Sequence, residues 1–397
     1  MTGITANVNR PYLPEDGGGI TCELSIEADA LDGRTERHIA LCVDSSGSMA
    51  YNEKMSQVRD ATKLVFGLLN DNDYLSIVAF DSVVEVVMEP TRWGSVERRE
   101  AERLLETIEA DGGTDMYAGL ETASDLLVEL DGDERISKRI LLLSDGRDLR
   151  AKAPDFEPLA KEIADAGISV YSAGLGDKYD KDIIRTVGEH SQGRWAHVTK
   201  PTDIRSFFGD VVQEASTVVA NNPRLILEPV EGCEIGQAFR RLPQVQQVDL
   251  EYSGDAVIVG LPDLQDREEQ QVVLKMDAPP RDVGGTHSLV AVELDAGGQS
   301  VQVDVSVGYT DDEEKLAQHN SAVTLAYYDT DLRTRIARAN SSSDLDEVKS
   351  LIDETEIITG EKGIADALRE NVTRIERSDE DEVRRIQEDA TVVYAGK

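Results

Sequence analysis

The chain has 397 residues, 40% of them hydrophobic, and at about 150 residues per domain this length predicts two or three domains with real hydrophobic cores. Its 78 acidic and 41 basic residues give a formal net charge of −37, which repels phosphate backbones and excludes nucleic acid as an expected partner. A dense coat of carboxylates is typical of proteins whose self-repulsion is screened by concentrated salt, so we expect a halophilic host.

The cysteines and the first residues of the chain bear on its compartment. Cys22, Cys42 and Cys233 are odd in number and far apart, so they build neither a disulfide framework nor a CxxC metal site. Residues 1–20 lack a basic segment followed by an apolar one, and no run of 18 apolar residues occurs in the chain. We therefore expect a cytoplasmic protein without a membrane segment.

The first 36 residues contain strand-like pieces at 4–8 and 20–26, which we assign to a β-sandwich completed by later strands. From residue 37 to residue 221, continuously apolar strands alternate with amphipathic helices, which predicts an α/β fold with a doubly wound, mostly parallel sheet. The segment 75–88 is interrupted only at Asp81 and Ser82, which predicts two strands and an antiparallel edge. The other strands are predicted at 39–43, 140–143 and 168–173, and the helices at 54–69, 96–110, 116–130, 156–166 and 204–219.

Beyond residue 221 the hydrophobic period changes to two, which predicts a β-sandwich over residues 222–310. Its strands are predicted at 248–252, 256–259, 270–276, 288–294 and 301–307. Helical periodicity returns over residues 311–397 and predicts a C-terminal helical region, with helices at 316–339, 345–358 and 364–375. The SSSD sequence at 341–344 is expected to cap a helix, and the acidic run 378–382 to be a solvated linker or a helix start.

Three short polar loops beside the buried strands carry the chemistry. The first loop, residues 44–48 with the sequence DSSGS, directly follows a predicted strand; the second loop is 111–115 (DGGTD), and the third loop is 144–146 (SDG). Because ligands bind outside the carboxyl ends of the strands in an open α/β sheet, we expect the three loops to meet in one crevice. Their hydroxyl and carboxylate oxygens suit Mg²⁺, Mn²⁺ or Ca²⁺ and disfavour zinc.

This arrangement resembles the von Willebrand factor A (VWA) domain family, whose metal-ion-dependent adhesion site has the pattern D-x-S-x-S, then a distant Thr, then a distant Asp. The residues that the resemblance assigns to the metal are Asp44, Ser46, Ser48, Thr114 and Asp145. It implies that the hydroxyls contact the ion while the acidic residues act through water, which leaves one coordination position open. A VWA domain joined to β-sandwich strands and a helical tail also resembles multi-domain VWA proteins of bacteria and archaea.

The resemblance implies a metal-dependent protein–protein interaction module. In this reading, an Asp or Glu carboxylate of a protein partner fills the open position of the cation. An alternative, also implied by the resemblance, is a subunit that recruits substrates to an AAA-type ATPase or a chelatase-like complex, in which the ATPase would be a separate chain. Neither reading gives the chain an enzymatic activity of its own.

A metal-dependent hydrolase is the third hypothesis, because a metal with carboxylates can activate water. Asp44 could serve as a nucleophile, but phosphoryl transfer needs a cation near the phosphate, and Arg147 is the only cation close to the loops in sequence. The first loop is not a G-x-S-x-G elbow, since Asp44 occupies the position of its first glycine. We therefore expect that the chain is not an enzyme.

Overall fold

The structure, a computed structural model, describes residues 2–28, 36–130, 136–176, 178–199 and 201–392. The chain divides into two compact units. The unit that we call the α/β unit consists of residues 30–222 and 262–266. The unit that we call the β-rich unit consists of residues 1–29, 223–261 and 267–397, so it contains most of the N-terminal strands, most of the strands after residue 222 and the C-terminal helices.

The secondary structure of the described residues is as follows. The strands are β1 (Thr2–Val8), β2 (Tyr12–Leu13), β3 (Gly18–Ala28), β4 (Arg37–Asp44), β5 (Tyr74–Phe80), β6 (Val84–Arg92), β7 (Ser137–Ser144), β8 (Ile168–Leu175), β9 (Arg194–Val198), β10 (Val218–Ala220), β11 (Arg224–Pro229), β12 (Glu234–Leu242), β13 (Gln246–Val248), β14 (Glu251–Ser253), β15 (Ala256–Gly260), β16 (Leu264–Gln265), β17 (Glu269–Ala278), β18 (Thr286–Ala296) and β19 (Gln299–Tyr309). The α-helices are α1 (Lys54–Leu68), α2 (Arg98–Glu106), α3 (Met116–Val128), α4 (Ala153–Asp165), α5 (Lys181–His190), α6 (Pro201–Glu214), α7 (Glu313–Leu316), α8 (Ser321–Arg338), α9 (Ser342–Thr359), α10 (Lys362–Arg377) and α11 (Glu380–Ala390). Short 3-10 helices lie at Gly47–Ala50, Trp93–Ser95 and Ala215–Thr217.

The α/β unit is built on a six-stranded sheet with the order β6-β5-β4-β7-β8-β9. The five strands from β5 to β9 along this order pair in parallel, and β6 runs antiparallel to β5 at the edge. The predicted α/β fold and its antiparallel edge strand are therefore confirmed. Strand β4 pairs with β5 on one side and with β7 on the other, so the order of the strands reverses there. The loops after β4 and β7 therefore emerge next to each other at the carboxyl edge of the sheet.

Helices cover both faces of this sheet. Strands β4 and β8 are therefore buried along their whole length. On one face, Val58 and Val65 of α1 and Phe208 of α6 pack with the sheet in a buried apolar cluster. On the other face, Leu120 of α3 and Phe156 of α4 belong to a second cluster. Each such side chain, fully buried, contributes roughly 1.5–3 kcal/mol to folding, so the sheet is a rigid base for the loops at its edge.

The β-rich unit contains two further sheets. One has five antiparallel strands in the order β1-β3-β17-β12-β13, and the other has six strands in the order β14-β15-β11-β18-β19-β2. Strands β3 and β17 alternate buried and more exposed residues over part of their length, as expected for strands with one face on a core. The predicted strands 256–259, 270–276, 288–294 and 301–307 are confirmed as β15, β17, β18 and β19.

The C-terminal helices pack with each other around Leu332, Ile352, Leu368 and Ile386. Ser341 caps α9 through a hydrogen bond from the Asp344 N–H, so the predicted SSSD cap is confirmed. The acidic run is a helix start, because Asp379 caps α11 by accepting from the Glu382 N–H. Among the described residues, no helix combines the length and the apolar character needed to cross a membrane.

Three sequence predictions of single elements were wrong. The strand predicted at 248–252 is two strands in different sheets, β13 and β14, because the period of two does not report which sheet a strand joins. The helix predicted at 316–339 begins only at Ser321, as α8, and the Asn320 N–H before it bonds to the Asn9 carbonyl at 2.7 Å. The helix predicted at 204–219 ends at Glu214, and residues 218–220 form β10, which pairs with β16.

Candidate metal centre

The three polar loops meet at the carboxyl edge of the six-stranded sheet. The first loop follows β4, whose last residue is Asp44, and the third loop starts at Ser144, the last residue of β7. The second loop leads into α3, where the Asp115 side chain caps the helix by accepting from the Ala118 N–H at 3.3 Å. Neighbouring strands and one helix start therefore position all three loops.

Backbone hydrogen bonds fix the loops to one another. The Asp111 N–H of the second loop donates to the Ser45 carbonyl of the first loop at 2.9 Å. The Leu149 N–H, just beyond the third loop, donates to the Thr114 carbonyl at 3.0 Å. Gly112 adopts a φ of +71°, a conformation that side-chain-bearing residues rarely adopt, where the second loop turns past the turn between β5 and β6. The relative positions of the loops are thus set by main-chain contacts.

A chain of hydrogen bonds connects the polar side chains of the first and third loops. The Ser48 hydroxyl donates to Asp145 Oδ1 at 2.7 Å, and Ser46 Oγ lies 3.1 Å from Ser48 Oγ. The Ser46 N–H donates to Asp44 Oδ1 at 2.8 Å, and the Ser144 hydroxyl donates to Asp44 Oδ2. Two carboxylates and two of the predicted hydroxyls therefore occupy one small volume.

Thr114 joins this cluster from the second loop. A Cβ atom placed on Gly146 would lie 2.8 Å from Thr114 Oγ1 and 3.4 Å from Asp44 Oδ2, so both oxygens border the same point. A side chain at position 146 would collide with the threonine hydroxyl, which explains the glycine there. The structure thus brings together all five residues that the sequence singles out: Asp44, Ser46, Ser48, Thr114 and Asp145.

The cluster is buried and acidic. Asp44 is fully buried and Asp145 is 1% exposed. Burial and, to a smaller extent, the negative charge of Asp145 raise the pKa of Asp44 to about 6, against the opposing effect of hydrogen bonds from Ser144 and Ser46. Two like-charged carboxylates held this close favour a bound cation.

The comparisons with known proteins agree with this architecture. The sequence model of the von Willebrand factor type A domain matches residues 38–211, which lie within the α/β unit. Residues 38–211 are a von Willebrand factor type A domain. Domains of this family commonly serve as protein-interaction modules.

Relatives of the chain among curated proteins extend beyond the VWA domain. The protein sll0103 of Synechocystis is 26% identical over 258 residues, which are 64% of this chain and 60% of that protein. YfbK of Escherichia coli is 23% identical over 318 residues, which are 77% of this chain and 50% of that protein. The chain thus matches about half to three-fifths of the length of these relatives.

Two solved structures are similar over nearly the whole chain. The von Willebrand factor type A protein from Catenulispora acidiphila superposes with a TM-score of 0.82 at 17% identity, covering 99% of this chain and 97% of that one. The ArnB paralog VWA2 from Sulfolobus acidocaldarius gives a TM-score of 0.66 at 14% identity, covering 98% of each chain. These likenesses show that the fold of both compact units recurs in other proteins.

The sequence analysis missed one cation beside the cluster of five residues, which we call the VWA site. Lys54, the first residue of α1, pairs through Nζ with Asp145 Oδ2, and the two side chains are 16% and 0% exposed. Arg147, which the sequence indicated as the near cation, is exposed, and its Nε donates to the Lys178 carbonyl at 3.3 Å. The prediction that Arg147 is the cation near the loops was therefore wrong, because Lys54 is the cation that contacts the cluster. The sequence feature that could have indicated this cation is a lysine at the start of the helix that follows the first loop.

Exposed apolar side chains lie on segments that flank or contact the three loops. Tyr51 is 71% exposed, and its N–H bonds to the first loop at 3.3 Å. Val83 is 73% exposed, in the turn between β5 and β6 that accepts a hydrogen bond from the second loop at 2.7 Å. Leu149 is 71% exposed just beyond the third loop. We call these three residues the apolar rim; large apolar side chains exposed together mark interaction surfaces.

Proposed function

We propose that the VWA domain binds one divalent cation at the carboxyl edge of its sheet and uses it to capture a carboxylate of a protein partner. The observation that carries this proposal is the buried cluster of hydroxyl and carboxylate oxygens contributed by three loops. Buried charges need a partner, and because Lys54 balances only one of the two carboxylate charges, a cation at this position would balance the other.

The chemistry of the oxygen donors favours a hard cation. Hydroxyl and carboxylate oxygens are ligands of Mg²⁺, and also of Mn²⁺ and Ca²⁺, whereas zinc prefers nitrogen and sulfur. In this proposal Ser46, Ser48 and Thr114 offer hydroxyl oxygens to the ion, and Asp44 and Asp145 orient the hydroxyls and carry the balancing charge. When bound, the cation supplies a coordination position that an Asp or Glu of the partner can fill.

The apolar rim supports a protein as the partner rather than a free carboxylic acid. Interfaces between proteins combine a polar anchor with surrounding apolar contacts that exclude water from it. Tyr51, Val83 and Leu149 lie on the segments that flank or contact the three loops, so one partner surface could cover them and reach the cation. The binding partner that fits this site is a protein with an exposed acidic side chain beside apolar ones.

Affinity capture from lysate tests the proposal. The full chain would serve as bait with Mg²⁺ and with EDTA, next to the double variant Asp44→Ala and Ser46→Ala. We expect a protein that the wild type retains with Mg²⁺ and loses with EDTA, and that the variant does not retain in either buffer. Thermal unfolding in EDTA is the control that the variant is folded. Equal recovery by the variant would show that the binding surface lies elsewhere.

Other sequence predictions carry no support from the fold or the comparisons and stay predictions. They are the recruitment of the chain to an AAA-type ATPase, the absence of enzymatic activity, a cytoplasmic location and a halophilic host. An EDTA-sensitive phosphatase or esterase activity of the purified chain would contradict the second of them. Co-purification of an ATPase would support the first.

A further inference from the structure

Lys54 belongs to the charge balance of the proposed metal site. Its Nζ pairs with Asp145 Oδ2, while the other oxygen of the same carboxylate accepts from the Ser48 hydroxyl. Within the described part of the chain, this is the one ion pair that Asp44 or Asp145 makes. The Asp145 carboxylate therefore binds both the lysine and the Ser48 hydroxyl, and the charge of the lysine lies within the cluster rather than on the surface.

The backbone before α1 is shaped so that the lysine reaches this position. Asn52 and Glu53 both adopt positive φ angles, +56° and +57°, a region that Asn enters more readily than most residues and Glu rarely enters. The Lys54 N–H then bonds to the Tyr51 carbonyl at 3.2 Å. At the end of β8, a Cβ on Gly176 would lie 4.0 Å from Lys54 Nζ, so the ammonium group is close to both loop and sheet. Two successive residues in the left-handed conformation reduce the stability of the fold, and a lysine that points into solvent would not require them.

The charges of the site give the consequence. Asp44 and Asp145 contribute −2 and Lys54 contributes +1, so a divalent cation changes the net charge of the cluster from −1 to +1. With a neutral residue at position 54, the same change would run from −2 to 0. Coulomb attraction for the cation would therefore be stronger without the lysine, and attraction of the loaded site for an anion would be weaker. Because the cluster is buried, salt screens these interactions little.

We infer that Lys54 weakens the binding of the divalent cation and strengthens the capture of a carboxylate by the loaded site. This inference rests on the proposed function, since it assigns a role to a residue of the same site. It makes the VWA domain a receptor for acidic ligands that keeps a net positive charge where the ligand arrives. The lysine is a residue that tunes specificity through charge.

The test compares wild type with Lys54→Met, which removes the charge at nearly constant length, and Lys54→Arg, which keeps it. The matched control is Lys63→Met on the same helix, where the lysine pairs with Glu106 at the surface. Calorimetry at pH 8 and constant KCl measures Mg²⁺ affinity. Broadening of the methyl proton resonance of acetate by Mn²⁺ held in the protein measures carboxylate affinity.

We expect Lys54→Met to bind Mg²⁺ at least fivefold more tightly and acetate at least threefold more weakly than wild type. Lys54→Arg and Lys63→Met should stay within twofold of wild type in both. Changes of the same sign in Lys54→Met would assign the lysine a purely structural role and overturn the inference, as would two unchanged affinities. If wild type takes up no Mg²⁺, the proposed function fails as well.

Discussion

The amino and carboxyl edges of the sheet in the α/β unit differ in how far the chain balances its own buried charges. At the amino edge, Arg37 pairs with Asp73, and both side chains are 2% exposed. Arg139, fully buried, lies 3.4 Å from an oxygen of Asp263. At this edge each buried guanidinium has a carboxylate from the chain itself, and both also donate to carbonyl groups of α6, at residues 211 and 212.

At the carboxyl edge the balance is incomplete. Asp44 and Asp145 are buried together, and Lys54 is the cation that the described residues provide for the two of them. Buried charge that the chain balances by itself stabilises the fold, whereas buried charge that it balances only in part indicates a site for a ligand of opposite sign. A variant at the amino edge should therefore lose stability with or without a divalent cation, whereas a variant at the carboxyl edge should lose the stabilisation that the cation provides.

The largest effect is expected from Arg37→Met at the amino edge. This change leaves Asp73 buried without its guanidinium and removes the hydrogen bond to the Val212 carbonyl at 2.9 Å. We expect a loss of about 3–5 kcal/mol in the free energy of unfolding, with or without Mg²⁺. Urea unfolding measures it, and Arg98→Met, which breaks a pair between exposed side chains, should cost less than about 1 kcal/mol. A loss for Arg37→Met as small as that of the control would refute the difference between the edges.

Asp44→Asn at the carboxyl edge should have the opposite sign in EDTA. At pH 8 the carboxylate is ionised in both the folded and the unfolded chain, so the full cost of burying it beside Asp145 is present in the wild type. We expect the variant to be as stable as wild type in EDTA, or more stable by on the order of 1 kcal/mol. Mg²⁺ at 100 times its dissociation constant should stabilise wild type by about 2.7 kcal/mol and the variant by none. Denaturant unfolding in both buffers measures this, and equal stabilisation of the two proteins would speak against Asp44 as part of the site.

The α/β fold could be predicted from the sequence because its strands are continuous apolar runs. β4 and β8 are buried on both faces, and that burial is visible in the residues themselves. The first strands after residue 222, β11 and β12, were not predicted, since the apolar run of β11 is short and two arginines interrupt β12. Arg240 of β12, for example, is 3% exposed and pairs with Gln246. A buried guanidinium whose partner lies opposite it on the next strand has no signature in the alternation of apolar and polar residues.

The grouping of the site residues followed from their position after buried strands, but the cation beside them did not. Lys54 stands ten residues after the end of β4, and its approach to Asp145 depends on the turn at Asn52 and Glu53. That turn places both residues in the left-handed region, which Asn adopts more readily than most residues but Glu rarely does, so the sequence does not indicate the turn. Ser144 was missed as a partner of Asp44 because its bond joins two neighbouring parallel strands.

A smaller effect is expected from Thr114→Val, which removes a hydroxyl without changing the size of the side chain. Thr114 is 5% exposed and borders the cluster, so the variant tests the contribution of the second loop. We expect Mg²⁺ affinity to fall by about tenfold, the equivalent of about 1.4 kcal/mol. Thr114→Ser keeps the hydroxyl and should stay within about threefold of wild type. Calorimetry measures both, and an unchanged affinity of the valine variant would remove Thr114 from the site.

The smallest effect on the VWA domain itself is expected from the apolar rim. Leu149→Ser should change the free energy of unfolding by less than about 0.5 kcal/mol, because the side chain is 71% exposed. It should leave Mg²⁺ affinity unchanged and reduce the recovery of the Mg²⁺-dependent partner. Val128→Ser, at the far end of α3 and 53% exposed, is the matched control. Full recovery with Leu149→Ser would place the partner outside the rim.

Uptake of Mg²⁺ by the full chain is the most direct test of the central claim. A calorimetric titration in molar KCl screens the general attraction between the cation and a chain of net charge −37, so that specific binding remains. We predict one ion per chain for wild type and none for Asp44→Asn. No uptake by wild type, or the same uptake by both proteins, would contradict the account.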